Sequence, residues 1–130
     1  MLLSPGVYSI ELNQPDSKEI KPGQPLSLSC KVSGYSLSSC SYCTNWIRQA
    51  SGGLEWIGRV CCSGGTDYSE KLKNKFSISR DTSSSTVTIT GQNMQTEDTA
   101  VYYCARESQA ATALRRYNQE IAISLCLLSK

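Results

Sequence analysis

Between residues 10 and 106 the chain runs in short stretches where apolar and polar side chains alternate, separated by glycine, serine, asparagine, aspartate and proline. A period of two is the mark of a half-buried strand, because successive side chains point to opposite faces of a sheet. In "LSLSCKV" the residues Leu26, Leu28, Cys30 and Val32 share one face while Ser27, Ser29 and Lys31 share the other. "KFSISR" repeats the device with Phe76 and Ile78, and "TVTIT" with Val87 and Ile89. "AVYYC" turns Ala100, Tyr102 and Cys104 inward and leaves Val101 and Tyr103 on the opposite face. Strands at roughly ten-residue spacing with turn residues between them predict an all-β sandwich. Only "QNMQTED" reads as a helical turn, a connector with Met94 as its apolar foot.

A length of 130 residues suits one domain with a core of its own. The net charge of +2 comes from interspersed signs, so no basic stripe is present to hold a phosphate backbone, and nucleic acid is not an expected partner. The longest apolar run, residues 121–128, is far short of the ~20 residues needed to cross a bilayer. Seven cysteines imply an oxidising compartment, and the odd number leaves at least one without an internal partner. The opening "MLLSPGVYS", residues 1–9, reads as the remnant of a signal peptide. The chain has no histidine, which removes Ser-His and Cys-His nucleophilic pairs and the commonest metal ligand together. Nor does "SGG", at 51–53 or 63–65, precede the helix and lysine of a phosphate loop. No enzyme and no cofactor are expected.

Cys30, Trp46 and Cys104 carry more information together than apart. A tryptophan sixteen positions after one cysteine and a second cysteine 74 positions after the first can bring two sheets together around one indole. Tyr102, two residues before Cys104, is placed to tie the preceding connection to its strand.

With "KPGQPLSLSCKVSGYS", "NWIRQ", "GLEWIG", "KFSISRDTSSSTVTIT" and "EDTAVYYCAR" in this order, the chain resembles an immunoglobulin heavy-chain variable domain of a bony-fish kind. The resemblance spans residues 10–106. It implies an immunoglobulin-like V-set antiparallel β-sandwich with Greek-key topology, an intersheet disulfide between Cys30 and Cys104 with Trp46 packed on it, and an ion pair between Lys75 and Asp98. It also implies antigen recognition, on the surface of a cell or in a secreted receptor, by loops at one end of the sandwich. The first loop would be "GYSLSSCSYC", residues 34–43, and the second "VCCSGGT", residues 60–66. Their tyrosine, serine and glycine suit a binding surface, since tyrosine brings contact area at low entropic cost. The expected antigen contacts are Tyr35, Ser36, Ser38, Tyr42, Ser63, Asp67 and Tyr68, with Arg106 shaping the base of a third loop. A second surface, formed by Ile47, Gln49, Leu54, Trp56 and Tyr103, matches the face on which the family packs a light-chain variable domain. "QASGGLEW" departs from the family by being one residue shorter and lacking a proline, which affects the tightness of that turn. A T-cell receptor variable domain is the alternative within recognition, and a product without biological activity the alternative outside it.

Four further cysteines, Cys40, Cys43, Cys61 and Cys62, fall in the first two loops. A disulfide from Cys40 or Cys43 to Cys61 or Cys62 would preorganise both, and sequence alone does not select the pairing. The competing reading is a metal site, because "CSYC" has the C-x2-C spacing of zinc ligands. It is disfavoured by the oxidising compartment, the absence of histidine and the poor spacing of "CC".

After Arg106 the family pattern stops. No tryptophan follows Trp56 and no glycine follows Gly91, so the Trp-Gly-x-Gly bulge that opens the family's last strand is missing. Residues 107–130 therefore read as an atypical tail, with the last strand absent or atypical. The favoured explanation is translation of an unrearranged variable segment past its end. The other is a true third loop followed by a drifted strand, for which Ile121, Ile123, Leu125 and Leu127 have the alternation. A missing strand would leave an open, aggregation-prone sheet edge unless residues 120–128 dock there.

Overall fold

The computed structural model describes residues 11–14, 17–39, 42–108 and 121–128. The signal-remnant reading of residues 1–9 therefore lies outside the described residues, as do Cys40 and the segment 109–120. Ten strands are described: β1 (Glu11–Asn13), β2 (Ser17–Ile20), β3 (Leu26–Ser33), β4 (Tyr42–Ala50), β5 (Gly53–Val60), β6 (Thr66–Tyr68), β7 (Phe76–Asp81), β8 (Thr86–Gly91), β9 (Ala100–Ser108) and β10 (Ile121–Leu128). A single 3-10 turn, Thr96–Asp98, joins β8 to β9, with Met94 fully buried before it. Among the described residues no helix is long and apolar enough to cross a membrane.

One sheet has the order β1-β3-β8-β7 and the other β2-β10-β9-β4-β5-β6. The alternation read from sequence sets which side chains meet between them. β3 has strictly alternating buried and exposed positions, and β7 and β8 bring Phe76, Ile78, Val87 and Ile89 to the same core. From the second sheet come Trp46, Ile57, Tyr102 and Cys104. The two sheets are joined by the Cys30–Cys104 disulfide, and both cysteines and Trp46 are fully buried. Tyr102 donates its hydroxyl to the Asp98 carbonyl oxygen at 2.7 Å, tying the turn to β9. Beneath it, the Lys75 ammonium meets Asp98 at 2.7 Å, as the resemblance implies.

At the tail, the alternative in which residues 120–128 dock at the sheet edge is the one found. β10 pairs antiparallel with β9, Ile121 opposite Ala105 through Cys126 opposite Ala100, and parallel with β2. A last strand thus occupies the place beside β9 without the family's glycine-rich bulge, and backbone pairing on both sides removes the open edge there. β9 itself runs on through Arg106 to Ser108.

Gly58 marks the tightest approach in the second sheet. A Cβ there would lie 2.6 Å from the Asp67 carbonyl oxygen and 2.9 Å from Tyr68 Cδ1. Gly58→Ala is expected to cost about 1 to 3 kcal/mol by forcing β5 and β6 apart, read as a lower urea midpoint. An unchanged midpoint would show that the β5–β6 ladder yields freely.

Candidate functional site

The register of the second sheet gathers one end of the molecule. Thr44 on β4 lies opposite Val60 on β5 and opposite Arg106 on β9, so the roots of the first loop, the second loop and the segment after Arg106 stand side by side. One residue further out, Cys43 and Cys61 form a disulfide with Cα atoms 4.2 Å apart. Cys62 is disulfide-bonded as well. These bonds consume thiolates that a zinc site built on "CSYC" would need.

The second loop is a short hairpin. Gly64 N–H donates to the Cys61 carbonyl at 2.9 Å and Cys61 N–H to the Gly65 carbonyl at 3.1 Å. Gly64 takes φ +81°, a left-handed conformation that costs glycine nothing. Ser63 is exposed, its Oγ accepting the Gly65 N–H at 3.3 Å. The first loop is pinned by Leu37, buried in the core, whose carbonyl accepts Arg80 Nη1 at 2.7 Å. On either side of it Ser36 and Ser38 are exposed and joined through their hydroxyls at 2.7 Å.

Two cations organise the floor. The Arg106 guanidinium lies 4.1 Å from the Tyr42 ring centroid and 5.3 Å from that of Tyr35, and the two rings are 5.3 Å apart. Burial strengthens such cation–π contacts, and Arg106 is buried, so it acts as a brace between β9 and the first loop. Arg59 on β5 bridges two acids, Asp67 through Nε at 3.0 Å and the buried Glu107 through Nη1. Hydrogen bonds to Asp67 and then Glu107 raise its affinity for its proton.

These positions refine the residues read from sequence. Tyr35, Ser36, Ser38 and Ser63 lie in loops at the gathered end, whereas Tyr42 and Cys43 belong to β4, and Asp67 and Tyr68 to β6. Tyr68 turns toward the core, and its hydroxyl accepts the Ile78 N–H at 2.8 Å, so it ties β6 to β7 instead of lying open in a loop. The sequence does not announce this placement, because a three-residue strand carries no alternation long enough to separate inward from outward. Arg59 and Glu107 were missed. Their signal in the sequence is weak, a lone charge ending the apolar run of "GLEWIGRV" and an acid just past the recognisable pattern.

On the outward face of the second sheet, Ile47 lies opposite both Trp56 and Tyr103. Tyr103 donates its hydroxyl to Gln49 Oε1 at 3.0 Å, and the Trp56 indole N–H donates to the buried Asn45 Oδ1 at 2.8 Å. Leu54 is 71% exposed, the one exposed large hydrophobic side chain among the described residues. Ile47 is buried, so it supports this patch from beneath instead of forming its surface.

Comparison with known proteins agrees with this architecture. The immunoglobulin V-set domain family matches residues 13–119, past Arg106 and into the tail. The mouse Ig heavy chain V region MOPC 315 is 44% identical over 106 residues, covering 80% of this chain and 77% of the relative. The mouse Ig heavy chain V region MOPC 141 is 43% identical over 100 residues, covering 76% and 68%. With an intersheet disulfide closed on a buried tryptophan, a tyrosine tied to its preceding turn, and relatives of this similarity, the chain belongs to the immunoglobulin V-set family and is similar to heavy-chain variable regions.

Proposed function

We propose that this chain recognises antigen as a heavy-chain-type variable domain, in an antigen receptor that is secreted or displayed on the outer face of the plasma membrane. As a V-set domain of heavy-chain type it is a binding module and not an enzyme. Antigen would meet the gathered loop end, with Tyr35, Ser36, Ser38 and Ser63 as contacts and Tyr42 and Arg106 beneath them. Asp67, which remains open beside Arg59, would add a charged contact.

The partner proposed for the outward face is a light-chain variable domain. One observation carries this: Leu54 stands exposed beside Trp56, with Gln49 and Tyr103 hydrogen-bonded at its edge. An exposed apolar patch rimmed by polar groups is the usual mark of a protein interface. Heavy-chain names on both relatives favour this class over a T-cell receptor chain.

The test is association with a light-chain variable domain, followed by sedimentation or calorimetry. Leu54→Arg is expected to weaken association by about thirtyfold or more, the loss typical of a central interface side chain. Its own unfolding midpoint should stay close to that of the parent, because residue 54 contributes little to the core. Equal affinity of parent and variant would remove this face from the interface.

A further inference from the structure

We infer that Asn45, Arg59 and Glu107 form a polar subsite in the floor of the gathered end, and that it takes a carboxamide from a peptide antigen, the side chain of an asparagine or glutamine. The antigen's part rests on the recognition reading above. The chemistry of the subsite rests on one buried donor and the charges beside it.

Asn45 lies in β4, opposite Arg59 of β5 and Ala105 of β9. It is 1% exposed, and its Oδ1 accepts the Trp56 indole N–H at 2.8 Å. An indole nitrogen only donates, so the end of the amide that faces Trp56 is its oxygen, and the NH2 turns to the opposite side of the planar group. Among the described residues this Nδ2 meets no acceptor. Buried polar groups in folded proteins are nearly always hydrogen-bonded, so a donor held in this way marks a place for an acceptor from a ligand.

The neighbouring groups define that ligand. Arg59 reaches across β4, donating through Nη1 to Glu107 Oε1 and through Nε to Asp67 at 3.0 Å, which fixes the guanidinium plane. Its side chain is 39% exposed and opens the subsite to solvent, while Glu107 is buried. Glu107 lies opposite Cys43, two positions along β4 from Asn45, so Asn45 and Glu107 are diagonal neighbours on one face, about 7 to 8 Å apart. The Cys43–Cys61 disulfide closes the loop side of this floor and Trp56 the other.

Asn45 Nδ2 calls for an acceptor, and the Glu107 carboxylate, engaged by Arg59 through Oε1, has acceptor capacity left for a donor. A carboxamide carries both functions on separate atoms of one plane: its oxygen takes the Asn45 N–H and its NH2 donates to Glu107. A carboxylate brings no donor and meets the charge of Glu107. An ammonium brings no acceptor and meets the charge of Arg59. A lone hydroxyl offers both functions at one atom and does not match two points set along a diagonal. Because the floor is held by a disulfide and an ion pair, little conformational entropy is lost when the group enters.

Nuclear magnetic resonance of the full, oxidised chain titrated with acetamide tests the subsite with neither antigen nor light chain present, so its failure leaves the recognition reading standing. Expected is a saturable shift of the Asn45 side-chain NH2 and the Arg59 Nε–H. Acetate and methylammonium, each lacking one function, are expected to need about tenfold higher concentration or more, the worth of one buried hydrogen bond. An equal response to either overturns the carboxamide assignment. Ethylene glycol is the hydroxyl arm, and binding as tight as that of acetamide would assign the floor to a carbohydrate instead. A response to acetamide that is absent, or linear with concentration, overturns the subsite itself. In Glu107→Gln the side chain keeps its shape and an oxygen for Arg59, but an NH2 replaces the second acceptor, and acetamide is expected to bind about tenfold more weakly. Asn45→Leu is expected to weaken it to a similar extent, with a thermal melt confirming that each variant folds. Unchanged acetamide binding in either folded variant overturns the inference.

Discussion

Asp98→Asn is expected to lower the stability of the domain by about 3 kcal/mol, roughly a 10 °C fall in melting temperature for a domain of this size. The carboxylate is nearly buried and serves several groups at once. Oδ1 accepts from Arg48 Nη1 at 2.9 Å, and Oδ2 meets Lys75 at 2.7 Å and the Gln95 N–H at 2.9 Å. Removing one partner of a buried pair typically costs about 3 to 5 kcal/mol, because the other charge is left desolvated. Here the lower end applies. Lys75 is partly exposed and can rehydrate, and Arg48 keeps Glu55 at 2.8 Å.

The same site has a pH signature. Burial opposes the charge on Asp98, but Lys75, the Gln95 N–H and Arg48 outweigh it and hold the carboxyl below the ordinary aspartate range. Glu55 is likewise held low, by Arg48 and Lys71 against a burial penalty. A carboxyl depressed on folding contributes stability above its unfolded value, near 4, and loses that contribution as pH falls through the lower folded value. The parent is therefore expected to lose stability below about pH 4, and Asp98→Asn to show a shallower acid limb. Urea melts at pH 7, 5 and 3 check both effects, and parallel curves for parent and variant would contradict the role given to Asp98.

The second large effect concerns the two described disulfides. Replacing Cys30 and Cys104 together by alanine is expected to cost about 4 to 5 kcal/mol on the chain-entropy model, for a sequence separation of 74. That is a large share of the roughly 5 to 15 kcal/mol by which a domain is stable. Replacing Cys43 and Cys61, separated by 18, costs about 3 kcal/mol on the same model. The contrast should be sharper than these figures, because the first pair lies within the core against Trp46 while the second sits at a sheet end. Truncating the core pair leaves a void that neighbours fill only partly. Urea unfolding of the two double variants decides the order, and a difference no larger than the roughly 1 kcal/mol of the chain-entropy model would show that the core bridge adds nothing beyond it.

Much of the scaffold was legible because its signals are local. Strand alternation named the inward faces of β3, β7, β8 and β9, and these are the faces that meet in the core. The end proposed to face antigen was legible only through resemblance, since serine, glycine and tyrosine populate many exposed loops. Tyr68 shows the limit. Its position beside the second loop suggests a contact, yet its hydroxyl is committed to the Ile78 N–H across a strand pair that no short-range pattern announces.

The tail and the surplus cysteines divide along the same line. Alternation at Ile121, Ile123, Leu125 and Leu127 marks a strand wherever it lies, because the period of two belongs to the backbone itself. Its place between β9 and β2, antiparallel to one and parallel to the other, depends on partners far away along the chain. Likewise, seven cysteines in a histidine-free chain declare disulfides and no Cys-His chemistry by composition alone. That Cys43 meets Cys61 follows from the ladder that sets Thr44 opposite Val60. Pairing is a matter of distance in space, and that distance exists only once the β4 and β5 ladder has closed.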